Sequence, residues 1–129
     1  MKADSMKPLH RHPTLVPLSH DHHHSLALCV RILRKPSENH QAEIEPHLHD
    51  LQQHFLEEET LFAPHWHHIS PALRQRFEAD HAFLRTLAAQ PDYGDESWNR
   101  RFAERLRDHA RFEERELFPA MQAFLAADI

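Results

Sequence analysis

The sequence predicts an all-α protein, an antiparallel up-down-up-down four-helix bundle, on three observations. A single glycine, Gly94, in 129 residues leaves few of the positive-φ turns that β-hairpins need. Apolar residues recur at spacings of three and four in four separate stretches. The breaks between those stretches are short, and short connections make neighbouring helices antiparallel.

Residues 1–17 read as an N-terminal extended arm. They carry Pro8, Pro13 and a basic sprinkling (Lys2, Lys7, Arg11), and they order only by packing across the bundle. Residues 18–129 make the bundle. The first helix begins near Leu18 or Ser19, just after Pro17, and runs to about Lys35. Its stripe is Leu18, His22, Leu26, Cys29 and Leu33, and Pro36-Ser37-Glu38-Asn39 breaks it. The second carries Leu48, Leu51, His54, Glu58 and Leu61 and ends around Pro64. Pro46 either sits in its first turn or kinks a longer helix. Ser70-Pro71 starts the third, a hydroxyl N-cap before proline at the first helical position. That helix shows Leu73, Phe77, His81, Leu84 and Ala88 on one face as far as about Ala89. Pro91 and Gly94 make the next turn. Ser97 or Asp95 caps the fourth helix, whose inner face reads Trp98, Phe102, Leu106, His109, Glu113 and Leu117. Pro119 is a candidate kink before Met121–Ala127.

A geometric check supports the antiparallel pairing. His22 and His54 lie about 13 and about 14 residues from the first connection, roughly 20 Å each at the helical rise, and so at one depth. The second pair agrees less closely, with about 8 residues after His81 and about 12 before His109 at the same rise.

Two stretches carry the chemistry. His54-Phe-Leu-Glu-Glu58-Glu-Thr-Leu-Phe62 and His109-Ala-Arg-Phe-Glu113-Glu-Arg-Glu-Leu-Phe118 each place a carboxylate four residues after a histidine. Positions i and i+4 share a helix face, so each stretch can offer one imidazole and one carboxylate to a single point. Upstream of each stands an Asp-His pair on an apolar stretch, Asp21-His22 and Asp80-His81. One His-x-x-x-Glu pair is ordinary helix decoration. The conjunction is stronger, because Glu58 and Glu113 share the apolar stripe, where an unpaired carboxylate is costly. Two buried carboxylates also repel unless protonated or neutralised. Two cations remove that conflict and use the four imidazoles. The expected metal ligands are therefore His22, His54, Glu58, His81, His109 and Glu113.

Six N/O ligands without thiolate suit a pair of six-coordinate iron or manganese ions better than structural zinc, and iron is favoured. A ferritin-like di-iron bundle needs two Glu-x-x-His motifs, and this chain has only Glu78-x-x-His81. Among the crowded His20, His22, His23 and His24, His22 is preferred, because Leu18, Leu26, Cys29 and Leu33 share its face. Glu59 and Glu114 are expected to face water, and Cys29 reads as a small core residue.

Composition excludes several classes. One cysteine rules out an intramolecular disulfide framework and suits a reducing, cytoplasmic setting. No run reaches the ~18 apolar residues of a membrane span, and no signal-peptide core opens the chain. A net charge of −5 argues against nucleic acid as a partner. Fifteen histidines leave eleven beyond the ligand set, most of them read as solvated; the sharper reading is loose capture of further divalent metal. Trp66 and its adjacent histidines either close one end of the bundle or meet a partner.

Ser19-His-Asp-His22, His54-Phe-Leu-Glu-Glu58 with Leu61-Phe62, and His109-x-x-x-Glu113 with Leu117-Phe118-Pro119 resemble the hemerythrin-like, or HHE cation-binding, family over roughly residues 18–120. The resemblance implies two iron ions held by the six residues named above, with Glu58 and Glu113 as bridges. Oxygen-carrying members have a further histidine four residues before the one matching His81, where this chain has Phe77. Four histidines and two glutamates are closer to the di-iron proteins implicated in repair of iron–sulfur centres. Those also carry a cysteine-bearing N-terminal domain, for which 17 residues leave no room.

Two imidazoles, two bridging carboxylates and a solvent-derived bridge leave one of six positions open on each iron. Such positions bind O₂ or NO. The expected function is a di-iron binding protein in oxygen, nitric-oxide or redox sensing, or in iron handling. The alternative is a di-iron enzyme: a reductase of NO or peroxide, or an iron donor in cluster repair. No nucleophile–base pair or substrate cleft is legible beside the ligands.

Overall fold

The computed structural model describes residues 10–125, so the expected arm before His10 and the helical run beyond Leu125 lie outside the described residues. Four long helices carry most of the rest: α1 (Val16–Arg34), α2 (Gln41–Phe62), α3 (Pro71–Ala89) and α4 (Glu96–Phe112). Through a π-helical turn, Glu113–Leu117, α4 passes into a short α5 (Phe118–Gln122). Single 3-10 turns at Pro13–Leu15 and Ala63–His68 precede α1 and follow α2. No strand and no positive φ occurs among the described residues, as the near absence of glycine requires. Among the described residues no helix is long and apolar enough to cross a membrane.

The helices pack as a ring. The α1–α4 contact is the most extensive, followed by α3–α4, α1–α2 and α2–α3. Two apolar clusters fill the interior. One gathers Leu28, Ile32, Ile44, Leu51, Phe55, Leu84, Trp98, Phe102 and Leu106. The other gathers Leu15, Leu18, Phe62, Ile69, Phe77, Phe112, Leu117, Phe118 and Met121. On each helix the chain passes from one cluster to the other through a buried polar stretch, at His22, at His54 and Glu58, at Asp80 and His81, and at His109 and Glu113.

Several local expectations are corrected. Helix α1 starts at Val16, and Pro17 lies inside its first turn, where an amide hydrogen would have no partner to lose. Residues 13–15 of the expected extended arm are helical, and Leu15 is fully buried. The buried face of α1 is Leu18, His22, Ser25, Leu28, Cys29 and Ile32, with Leu26 and Leu33 at its half-buried margin. Ser25 displaces a leucine from that face because its hydroxyl is satisfied by the His47 ring at 2.9 Å. Pro46 lies inside α2, one turn in. The carbonyl it orphans belongs to exposed Ala42, which water can satisfy. Ser70 is the N-cap of α3 but makes no side-chain cap bond, so Pro71 alone carries that start. At α4 the cap is Asp95, which accepts from the Trp98 amide at 2.8 Å.

Trp66 packs on the second cluster against Phe62 and Phe77, with Arg74 over its ring, and so closes that end. Cys29 is a buried free thiol, its pKa pushed up to about 12, chiefly by burial.

Candidate metal centre

Helix geometry sets the site. His54 and Glu58 are one turn apart on α2. His109 lies in the last turn of α4, and Glu113 opens the π turn that follows it. His22 and His81 enter singly from α1 and α3. All six side chains are buried, with Glu58 and Glu113 completely so. They form two overlapping groups, His22–His54–Glu58–Glu113 and Glu58–His81–His109–Glu113, and within each the ligand atoms lie within 4.8 Å of one another. Glu58 and Glu113 belong to both. All six expected residues are thus brought together. Exposed His23 is not among them, nor is Glu78, which is exposed and paired with Arg74.

The contacts divide by carboxylate oxygen. Glu58 Oε2 stands 3.0 Å from His54 Nε2, and Glu58 Oε1 stands 3.2 Å from His81 Nε2. Glu113 Oε1 is 2.7 Å from His22 Nε2, and its Oε2 is 3.2 Å from His109 Nε2. Each glutamate therefore spans the two halves. Only the His22–Glu113 contact has hydrogen-bond geometry there in the described structure, apart from longer electrostatic approaches. Both Glu58 oxygens, Glu113 Oε2 and the Nε2 atoms of His81 and His109 have no hydrogen-bond partner. Leaving a buried polar atom unsatisfied costs ~1–3 kcal/mol, more for a charged group. Five such atoms converging on one layer fit a cation pair, which accepts lone pairs from oxygen and imidazole alike.

Behind each ring stands a second carboxylate. His22 Nδ1 donates to Glu114 at 2.6 Å and His54 Nδ1 to Asp21 at 2.9 Å. His81 Nδ1 donates to Glu59 at 2.7 Å and His109 Nδ1 to Asp80 at 2.8 Å. A carboxylate only accepts, so each bond keeps hydrogen on Nδ1 and aims Nε2 inward, the tautomer a metal needs. Glu59 and Glu114 therefore do not simply face water. They are half-buried; Arg85 holds both Glu59 oxygens, and Arg11 holds the Glu114 oxygen turned away from His22. The sequence signal for this role was the doubled acid in Glu58-Glu59 and Glu113-Glu114, together with the Asp before each lone His.

The charges in the layer shift one another's pKa values. Burial alone would lower the His22 pKa, but Glu113 and Glu114 on its two nitrogens outweigh it and raise it to about 9. Burial is likewise overcome at His54 by Glu58 and Glu113, to about 11, and at His109 by Glu113 and Asp80, to about 10. Glu113 is buried, which would raise it, yet His109, His22 and His54 pull it well below the ordinary carboxylate range.

Aromatic rings wall the layer. Phe55 stacks on His81 at 3.9 Å, Phe77 lies 4.0 Å from the same ring, and Phe118 stacks on His22 at 5.3 Å. Phe77 thus faces the site, one turn before His81. Of the surplus histidines, His40 is buried and structural, bonded to Glu43 and to the Lys35 carbonyl. Most others are exposed. Comparison with protein-family models, curated proteins and solved structures finds no match.

Proposed function

We propose that this chain is a non-haem di-iron binding protein of the hemerythrin-like kind, acting in oxygen, nitric-oxide or redox sensing or in iron handling. The observation that carries the reading is the pair of four-residue groups sharing Glu58 and Glu113. His22 and His54 would hold one metal and His81 and His109 the other, with Glu58 and Glu113 common to both groups. When bound, such metals would supply Lewis acidity and a reversible change of oxidation state. The protein's part is to fix the rings through Asp21, Glu59, Asp80 and Glu114, and to keep water out with Phe55, Phe77 and Phe118.

The proposal includes the up-down-up-down arrangement. One apolar cluster takes the C-terminal halves of α1 and α3 with the N-terminal halves of α2 and α4, which supports alternating directions. Iron is preferred to zinc because six N/O donors with no thiolate exceed a closed tetrahedral site.

The test is metal analysis of untagged protein expressed with adequate iron. About two irons per chain are expected from the two overlapping groups, with near-ultraviolet absorption from the oxidised pair. Stoichiometric zinc alone would overturn iron, and metal-free protein would leave a helical module. Spectra and turnover with O₂, NO and peroxide then separate a binding protein from a reductase.

A further inference from the structure

The four carboxylates behind the rings match in pairs, and one pair is unequal. His109 leans on Asp80, which is fully buried and also accepts from Arg105 at 2.6 Å and Arg76 at 3.1 Å. The corresponding ring, His54, leans on Asp21, whose side chain is 50% exposed. Among the described residues no arginine or lysine pairs with Asp21. The other pair is balanced: Arg85 holds Glu59, and Arg11 holds Glu114. Freeing His109 means opening a buried ion cluster and stranding charge, which is strongly disfavoured. Freeing His54 gives an exposed carboxylate back to water, which costs little.

The surface around the two halves differs in the same sense. A groove of about 350 Å³ reaches His54 and is walled by Asp21, His24, His47, Asp50 and Glu57, oxygen and imidazole donors a divalent cation can use in passing. The hollow beside the Asp80 cluster presents Arg76, Arg111 and Arg115 against Asp108 and Glu116. A cation is drawn to the first and not to the second.

Resting on the two-metal reading above, we infer that the two positions exchange at different rates. The metal at His22 and His54 enters and leaves through the Asp21 groove, while the metal at His81 and His109 is retained. The centre then empties in a fixed order and passes through a half-loaded state. That state holds one metal beside a metal-free His22–His54 pair.

The test loads the full chain anaerobically with ferrous iron, confirms stoichiometry, then adds excess ferrous chelator and follows the two-, one- and zero-iron species by native mass spectrometry. The result expected is two phases separated by about tenfold or more, since only one departure breaks a buried ion pair. His54→Ala should leave a single iron that departs in the slow phase, and His109→Ala a single iron that departs in the fast one. The groove variant Asp50→Asn with Glu57→Gln, changed only at exposed positions, should slow the fast phase severalfold at unchanged stoichiometry. Asp80→Asn should speed the slow phase toward the fast. Two irons lost in one phase, or a groove variant with unaltered kinetics, would overturn unequal exchange and leave the two-metal reading standing. Fewer than two irons before the chelator is added would overturn both.

Discussion

At the scale of single residues the six inner side chains and the four outer carboxylates carry different loads, and mutation separates them. Glu58→Ala or Glu113→Ala removes a group common to both four-residue sets, so on the proposed two-metal reading both metals are expected to go. Glu59→Gln or Glu114→Gln removes only the support behind one ring, His81 or His22. Roughly a 10- to 100-fold loss of affinity at one position is expected, the usual range for such supports. Titration calorimetry with metal content checks this, and equal losses at all four glutamates would show the roles misassigned.

The raised imidazole pKa values give a pH dependence with a definite sign. A histidine whose pKa rises on folding adds stability that is fully present below the unfolded value, ~6.5. For His22, His54 and His109 that stability is lost as pH climbs through about 9, about 11 and about 10. Glu113 acts in the opposite direction, adding stability above the ordinary carboxylate range and losing it in acid. Metal-free protein should therefore melt highest near neutral or mildly acidic pH and lose stability toward pH 10. Metal displaces these protons, so uptake at pH 7 should release them, read as a calorimetric enthalpy that varies with buffer ionisation. Retention of both metals well below pH 4 would contradict the ligand set.

Phe77 supplies a third residue-scale test. Its ring sits 4.0 Å from His81 and 6.4 Å from His109. Phe77→His is expected to keep both metals, shift the absorption spectrum and close one metal to azide or NO. Unchanged ligand stoichiometry and spectrum would show that a ring at this position does not reach the metals.

At the scale of elements, the helix starts differ in what holds them. Asp95→Ala deletes an observed bond to the Trp98 amide and should cost about 1 kcal/mol. Ser70→Ala deletes no cap bond and should lie within about 0.5 kcal/mol of the parent. Denaturant melts of the two variants decide it, and equal destabilisation would show that Ser70 caps α3 after all. The π turn after α4 also belongs to this scale. The Phe118 amide reaches back five residues to the Glu113 carbonyl, so the ladder loosens where Glu113 serves the centre. Pro119, with no amide hydrogen, follows directly.

For the whole molecule, the polar layer is tolerable because two apolar clusters and a tied-off end hold it. Asn99, fully buried on α4, donates from Nδ2 to the carbonyls of Pro36, Glu38 and Tyr93, gathering the α1–α2 and α3–α4 connections. Asn99→Leu leaves three acceptors without that donor, and a loss of about 1–3 kcal/mol or more is expected in a thermal melt. Metal stoichiometry should survive, since Asn99 is not in either group. A neutral melt would show that these carbonyls are satisfied by water.

Periodicity and motif in the chain sufficed for the helical class, the four segments and the six inner residues. The reason is physical: i+4 spacing on a helix is local geometry, so His54–Glu58 and His109–Glu113 had to share a face wherever the helices went. The choice of His22 over His23 followed from the same local face. What only the tertiary structure decided depends on contacts between helices. Asp21 supports a ring on α2, Asp80 one on α4, Glu59 one on α3 and Glu114 one on α1. No spacing along the chain encodes which element lies opposite. For the same reason Ser25 turned inward, because His47 of another helix satisfies its hydroxyl. The inequality of Asp21 and Asp80 arose likewise, since Arg105 reaches only one of them.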